Sequence, residues 1–145
     1  MFDKLKNKIE DKIEKECQPL IYNPSDGDTY SELVHERTPY REIMIENHRR
    51  LWKWIMWRTI IERSKQEKYN YFTHYDIDII KENCFLCEYV AQEKLGMCIN
   101  CPVRWRICGK RNSLYRKWFR CFNTEWIKSA YYAWRISKVR EKKEE

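Results

Sequence analysis

The chain has 145 residues, a length typical of one domain and long enough to bury a hydrophobic core. With only three Gly and four Pro, and with charged residues making up 35%, the composition disfavours turn-rich β architectures and favours helices. The formal net charge of +7 is uneven, since residues 49–68 carry +5 and residues 102–145 carry +9. This pattern indicates defined basic faces and argues against an acidic mimic of DNA.

No segment has the features of a targeting or membrane-spanning element. Residues 1–17 alternate Lys with acidic side chains, unlike a signal peptide. No apolar run approaches the roughly 20 residues needed to cross a bilayer, so no membrane partner is expected. We therefore expect a cytoplasmic protein, in which the seven cysteines are metal ligands or free thiols before disulfides.

Residues 1–17 are predicted to form an amphipathic helix. Its apolar side chains recur at steps of three or four residues: Phe2, Leu5, Ile9 and Ile13. This stripe is narrow, which leaves two possibilities open, a coiled-coil-like arm and a helix docked on the body. Pro19 ends the pattern, and residues 19–30 have the composition of a loop.

A long helix is predicted over residues 38–68. Thr38 can cap its start, and Pro39 suits the first helical position. One apolar stripe, assigned to the core, contains Met44, His48, Leu51, Ile55 and Thr59. A second stripe contains Trp54, Trp57 and Ile61, flanked by Arg50 and Arg58. Because a helix in a domain of this size seldom buries tryptophan on two faces, the second stripe is predicted to bind a partner, with burial as the alternative.

Two Cys-x-x-Cys pairs stand ten residues apart, Cys84 with Cys87 and Cys98 with Cys101. Each pair can direct two sulfurs at one ion, and four thiolates complete the tetrahedral shell of Zn²⁺. We expect one structural zinc ion, because a closed four-thiolate site leaves no coordination position for catalysis. An iron–sulfur cluster and four packed thiols are the alternatives.

The three remaining cysteines, Cys17, Cys108 and Cys121, are predicted to be core thiols, although Cys108 is close enough in sequence to serve as a spare ligand. Thioredoxin-type redox chemistry is disfavoured, because no βαβ pattern surrounds Cys84.

The C-terminal part of the chain is predicted to be helical over residues 113–142, after an irregular aromatic segment at residues 69–75. Asn112 or Ser113 would begin this region, and Thr124 would cap a final helix. The apolar face of that helix is Trp126, Ala130, Ala133 and Trp134. The expected fold class is therefore all-α: a small helical domain on a long central helix, with a four-cysteine zinc-knuckle insertion and a C-terminal helical region.

Four motifs resemble small proteins encoded by bacteriophages of Gram-positive hosts, which are largely without assigned function. The motifs are residues 48–55 (HRRLWKWI), residues 84–89 (CFLCEY), residues 98–102 (CINCP) with Trp105, and Leu114-Tyr115-x-x-Trp118. The likeness spans about residues 48–135 and leaves the N-terminal fifty residues outside it. It implies a phage origin and a zinc-knuckle helical fold, and it supplies no activity.

No catalytic motif is apparent in the sequence. The chain has no Gly-rich phosphate loop, no Gly-x-Ser-x-Gly, and no His-x-Glu paired with Pro-Cys-x-x-Cys. We therefore predict a non-enzymatic protein.

Two binding functions are open. Engagement of a host protein, including inhibition of a host or defence factor, is preferred because Trp, Tyr and Arg dominate interface hot spots. The alternative is nucleic-acid binding, because basic residues interleave with tryptophan and bases can stack on indole rings. The basic candidates are Arg49, Arg50, Lys53, Arg104, Arg106, Lys110, Arg111, Arg116 and Lys117. The sequence leaves the oligomeric state open.

Overall fold

The computed structural model describes residues 2–20, 37–76, 86 and 113–139 of the chain. The helices are α1 (Phe2–Glu16), α2 (Arg37–Glu62), α3 (Lys68–His74), α4 (Leu114–Phe119) and α5 (Trp126–Ser137). No strand occurs in these ranges, so the predicted all-α class is confirmed. None of these helices is both long enough and apolar enough to cross a membrane.

The central element is α2, and α1, α3 and α5 all pack against it. Its most extensive contact is with α5, on which α4 also packs. Leu51, Trp52, Trp54 and Ile55 are all buried, although a turn of about 3.6 residues points them in different directions. The helix is therefore covered on more than one side.

The long helix ends earlier than predicted, at Glu62 instead of about Lys68. Arg63 takes a left-handed conformation with φ of 52°. The Ser64 N–H then donates a hydrogen bond to the Thr59 carbonyl at 3.3 Å, which closes the helix as in a Schellman motif. The start, at Arg37, lies one residue before the predicted position.

The segment predicted to be irregular at residues 69–75 instead forms most of α3. Aromatic residues occur at most positions of this segment, so no apolar stripe at helical spacing stands out in the sequence. Tyr71 and Phe72 are nevertheless both buried in the core around α2. Tertiary burial stabilises a short helix that local pattern does not predict.

The N-terminal helix docks on the body and is not a free arm. Its side chains Ile9 and Ile13 are buried in the core. Three hydrogen bonds hold the residues that follow α1: from the Tyr71 hydroxyl to Cys17 O (2.8 Å), from Arg50 Nη1 to Gln18 O (2.9 Å), and from Leu20 N to Asn47 Oδ1 (2.7 Å). Two of these donors satisfy carbonyl groups at a helix end, where intrahelical partners run out.

Lys65, in the connection after α2, holds the C-terminal end of α4. Its ammonium group donates to the carbonyls of Phe119 (3.0 Å) and Cys121 (3.1 Å). It also lies 4.4 Å from the centre of the Trp118 ring, a cation–π distance. A cation at this position complements the negative end of the helix dipole.

The two C-terminal helices begin differently. Ser113 caps α4, because its hydroxyl accepts the Arg116 N–H at 3.1 Å, in agreement with one of the two predicted starts. The N-cap of α5 is Glu125 and not the predicted Thr124. Glu125 accepts the Phe122 N–H at 2.9 Å, and this bond lowers the pKa of the carboxyl group. The turn between α4 and α5 is therefore held by a carboxylate.

Cys17 and Cys121 are buried and free, which confirms the prediction that they are core thiols. Burial raises the pKa of the Cys17 thiol to about 12, so the thiol stays protonated at neutral pH. Burial also raises the pKa of Cys121.

The docking of α1 can be tested by removing one hydroxyl group. Tyr71→Phe deletes the donor to the buried Cys17 carbonyl, and we expect it to lower the free energy of unfolding by about 1–2 kcal/mol in denaturant titrations. Tyr69→Phe is the matched control, since Tyr69 lies on the same helix with 57% of its surface exposed. Equal effects of the two changes would contradict the role given to Tyr71.

Candidate interaction surface

The second stripe of α2, predicted to bind a partner, does not form an exposed face. Trp54 is 3% exposed and Ile61 is 8% exposed. The Trp54 ring meets the Tyr71 ring edge to face, with 5.6 Å between ring centroids. The predicted surface position is therefore wrong for Trp54 and Ile61, because α3 supplies a cover for Trp54 that the sequence pattern did not predict.

The rest of that stripe contacts α1. Trp57 is half-buried against the core, and Lys12 Nζ lies 5.6 Å from the centre of its ring. Arg58 pairs with Glu62 at 2.8 Å and approaches Glu10 of α1 at 4.0 Å. The face assigned to an external partner is thus partly occupied by the chain's own N-terminal helix.

The basic residues of α2 also make contacts within the chain. Arg50 Nε lies 3.2 Å from Glu46, and its Nη1 binds the Gln18 carbonyl. Arg49 lies 4.0 Å from the same Glu46, and Lys53 is half-buried. These arrangements reduce the charge that α2 could offer to phosphate groups.

The other nucleic-acid candidates are divided between two parts of the chain. Arg116 and Lys117 lie on α4, where Arg116 is exposed and stacks 5.7 Å from the Phe119 ring. Four candidates lie outside the described residues: Arg104, Arg106, Lys110 and Arg111.

The predicted zinc ligands Cys84, Cys87, Cys98 and Cys101 also lie outside the described residues. Between the first pair, Leu86 is described, and its side chain is buried. Elsewhere, across the ranges 2–20, 37–76 and 113–139, no group of three His, Cys, Asp or Glu side chains could hold a metal ion. The metal prediction therefore stands on the cysteine spacing.

The clearest exposed apolar surface lies on α5. Ile127, Tyr131 and Trp134 are 69%, 50% and 45% exposed. Steps of four and three residues place these side chains on one face of the helix. We call them the α5 row. The same spacing is visible in the sequence, but it signals an exposed face only once the buried face of the helix is known.

Trp134 was predicted to lie on the apolar face of α5 with Ala130 and Ala133, but unlike them it is exposed. Ala130 and Ala133 are buried where α5 packs on α2. Small side chains let two helices approach closely. The large indole of Trp134 lies outside this contact, at its border. Trp126 is half-buried.

Basic side chains accompany the α5 row. Arg135 Cζ lies 5.8 Å from the centre of the Tyr131 ring. Lys128 pairs with Glu125 at 3.5 Å, whereas Arg135 and Lys138 have no carboxylate within ion-pair distance in the described part of the chain. Among the described residues, the row is therefore an apolar strip with two cations beside it that pair with no carboxylate.

Comparisons with known proteins add no relative: no family model, no curated protein and no solved structure matches the chain. The candidate surface therefore rests on the exposure, spacing and charge of α5.

Two tryptophans should respond differently to truncation. Trp118→Ala removes a buried ring that packs edge to face on Trp52 (4.8 Å), and we expect a loss of about 3–5 kcal/mol in the free energy of unfolding. Trp134→Ala should cost less than about 1 kcal/mol, because the ring is half exposed. Denaturant titrations of both variants provide the comparison, and a large loss for Trp134→Ala would place the row in the core.

Proposed function

We propose that the chain is a non-enzymatic binding protein that engages another protein through the α5 row. The observation that supports this function is the alignment of Ile127, Tyr131 and Trp134, all exposed, on a helix whose other face is packed in the core. Tyr and Trp are enriched in interface hot spots, and three large apolar side chains in line suit a helical partner surface.

The size of the row indicates what kind of interface it would form. Full burial of one large apolar side chain is worth about 1.5–3 kcal/mol, and each member of the row is already partly covered. A partner covering all three would gain on the order of 3 kcal/mol from apolar area. Association costs exceed that amount, so the row would be the centre of a larger interface that also includes polar contacts.

A protein partner is favoured over nucleic acid by the composition of the row. Ile127 has no flat face on which a base can stack, and the Arg135 guanidinium lies over the Tyr131 ring. On α2, Arg49 and Arg50 are engaged with Glu46. Nucleic-acid binding is therefore the alternative outcome of the tests below.

The four paired cysteines would give this binding protein a structural zinc ion. Their spacing supports a closed thiolate site, and the free, buried Cys17 and Cys121 are not needed as ligands. The resemblance of residues 48–135 to phage-encoded proteins supports a bacterial host protein as the partner, including a host or defence factor that the chain would inhibit.

The zinc proposal predicts unequal effects of two serine substitutions. Cys98→Ser should release the metal and destabilise severely, because zinc binding worth about 10 kcal/mol or more is folding free energy in small sites. Cys121→Ser should be far milder, since Cys121 is a buried thiol that donates to the Lys117 carbonyl. Elemental analysis should find about one zinc per chain in the wild type and in Cys121→Ser. A coloured iron–sulfur spectrum or a metal-free folded protein would overturn the zinc assignment.

The binding proposal predicts that a partner is lost when the row is changed. The immobilised chain should retain a specific protein from nuclease-treated lysate of a Gram-positive host, and Ile127→Glu and Trp134→Ala should each weaken that binding by about 2 kcal/mol or more. Leu5→Glu is the control, because Leu5 is similarly exposed but lies on α1. Retention that vanishes with nuclease treatment, or that persists in both row variants, would contradict the proposal.

A further inference from the structure

We infer that the occupant of the α5 row is an acidic amphipathic helix of another protein, an inference that rests on the function proposed above. Its basis is the one-sided distribution of charge around the row. Arg135 and Lys128 lie roughly 80–100° around the helix from Ile127, at a rotation of about 100° per residue. Lys138 continues the line of the row at its C-terminal end. The opposite edge leads to Ala130 and the core.

Acidic groups are scarce among the described residues of this surface. Residues 113–139 contain six basic residues, namely Arg116, Lys117, Arg120, Lys128, Arg135 and Lys138, against Glu125 alone. The Glu125 carboxylate accepts the Phe122 N–H and pairs with Lys128 at the start of α5. It therefore neutralises the N-terminal end of the basic edge and leaves Arg135 and Lys138 beside Tyr131 and Trp134.

This charge pattern indicates the charge that a complementary partner would carry. A neutral apolar strip would meet the row but would leave two cations facing it without counter-charge. A basic strip would be repelled, since like charges across an interface are unfavourable. A partner with carboxylates along one side of its apolar face would pair with Arg135 and Lys138 while covering the row.

The shape of the row favours a helix. Ile127 and Trp134 are seven residues apart, which is about 10 Å along the axis at 1.5 Å per residue. Three anchors in a straight line match the i, i+4, i+7 residues of an amphipathic helix packed alongside. In the described ranges there is no strand to which an extended peptide could add.

A second copy of the chain is a weaker match for this charge pattern. Residues 113–139 carry six basic side chains against Glu125 alone, so two copies packed through this surface would bring two net positive regions together, which is unfavourable.

Two synthetic peptides test the inference on the full-length, zinc-loaded chain. Both are amphipathic helices with leucine at the same i, i+3, i+4, i+7 positions. One carries glutamate beside the leucines, and the other carries lysine. Binding is measured by fluorescence anisotropy, with single-stranded oligothymidine as a third probe. We expect the acidic peptide to bind at least about tenfold more tightly than the basic one, with a preference that narrows as salt is raised.

The decisive variant reverses the charges of the two cations beside the row. Arg135→Glu with Lys138→Glu should remove the preference for the acidic peptide, whereas Lys4→Glu with Lys8→Glu makes the same change in net charge at exposed positions of α1 and should keep it. Thermal unfolding of both double variants checks that they remain folded.

The outcomes show whether the acidic partner alone or the proposed binding function as a whole is wrong. Equal affinity for both peptides, lost in Ile127→Glu, would overturn the acidic partner while the row remained a protein-binding surface. Failure of both peptides to bind, together with lysate binding unaffected by the row variants, would overturn both proposals. Binding of oligothymidine that depends on Tyr131 and Trp134 would replace a protein partner by single-stranded nucleic acid.

Discussion

The apolar side chains of α2 surround the helix, so water must be excluded from several of its sides at once. The chain meets this constraint with its other described helices. α1 contributes Ile9 and Ile13, α3 contributes Tyr71 and Phe72, and α5 contributes small residues that allow close approach. Trp118 of α4 then packs on Trp52. Hydrogen bonds follow the same arrangement, because the donors that hold α1 and α4 come from α2, from α3 and from Lys65.

Because the chain's own helices cover α2, the apolar surface that a partner could contact lies on α5 and not on α2. Trp54 and Ile61 are buried within the chain, so a partner cannot contact them. The neighbouring cations Arg50 and Arg58 pair with Glu46, Glu62 and Glu10. α5 packs through Ala130 and Ala133, which lets the opposite side of the helix keep large exposed residues. The charge of that side is positive, because Glu125 is used at the turn between α4 and α5. A binding surface of this kind results from how α2 is covered.

Much of the fold followed from local pattern: the helical class, the first and long helices, and the Ser113 start of α4 are all encoded by spacing and capping chemistry. The end of α2 was missed because Arg63 adopts a left-handed conformation that its residue type does not signal. α3 was missed because aromatic burial, and not periodicity, stabilises it. The site was harder to predict, since a tryptophan stripe has the same sequence pattern whether another helix of the chain or a partner covers it.

Many of the contacts that hold the helices together join distant parts of the chain, and this has a consequence for how the protein is made. Tyr71 and its hydrogen-bond partner Cys17 are 54 residues apart, and Lys65 and Cys121 are 56 residues apart. The contact between α2 and α5 can form only after α5 has been synthesised. Helical proteins with mainly local contacts fold fast, whereas distant contacts slow the search. During translation α2 emerges well before the helix that covers most of it. The nascent chain therefore exposes the side of α2 that α5 later covers while the remainder is synthesised, and exposed apolar surface of this kind is what chaperones bind.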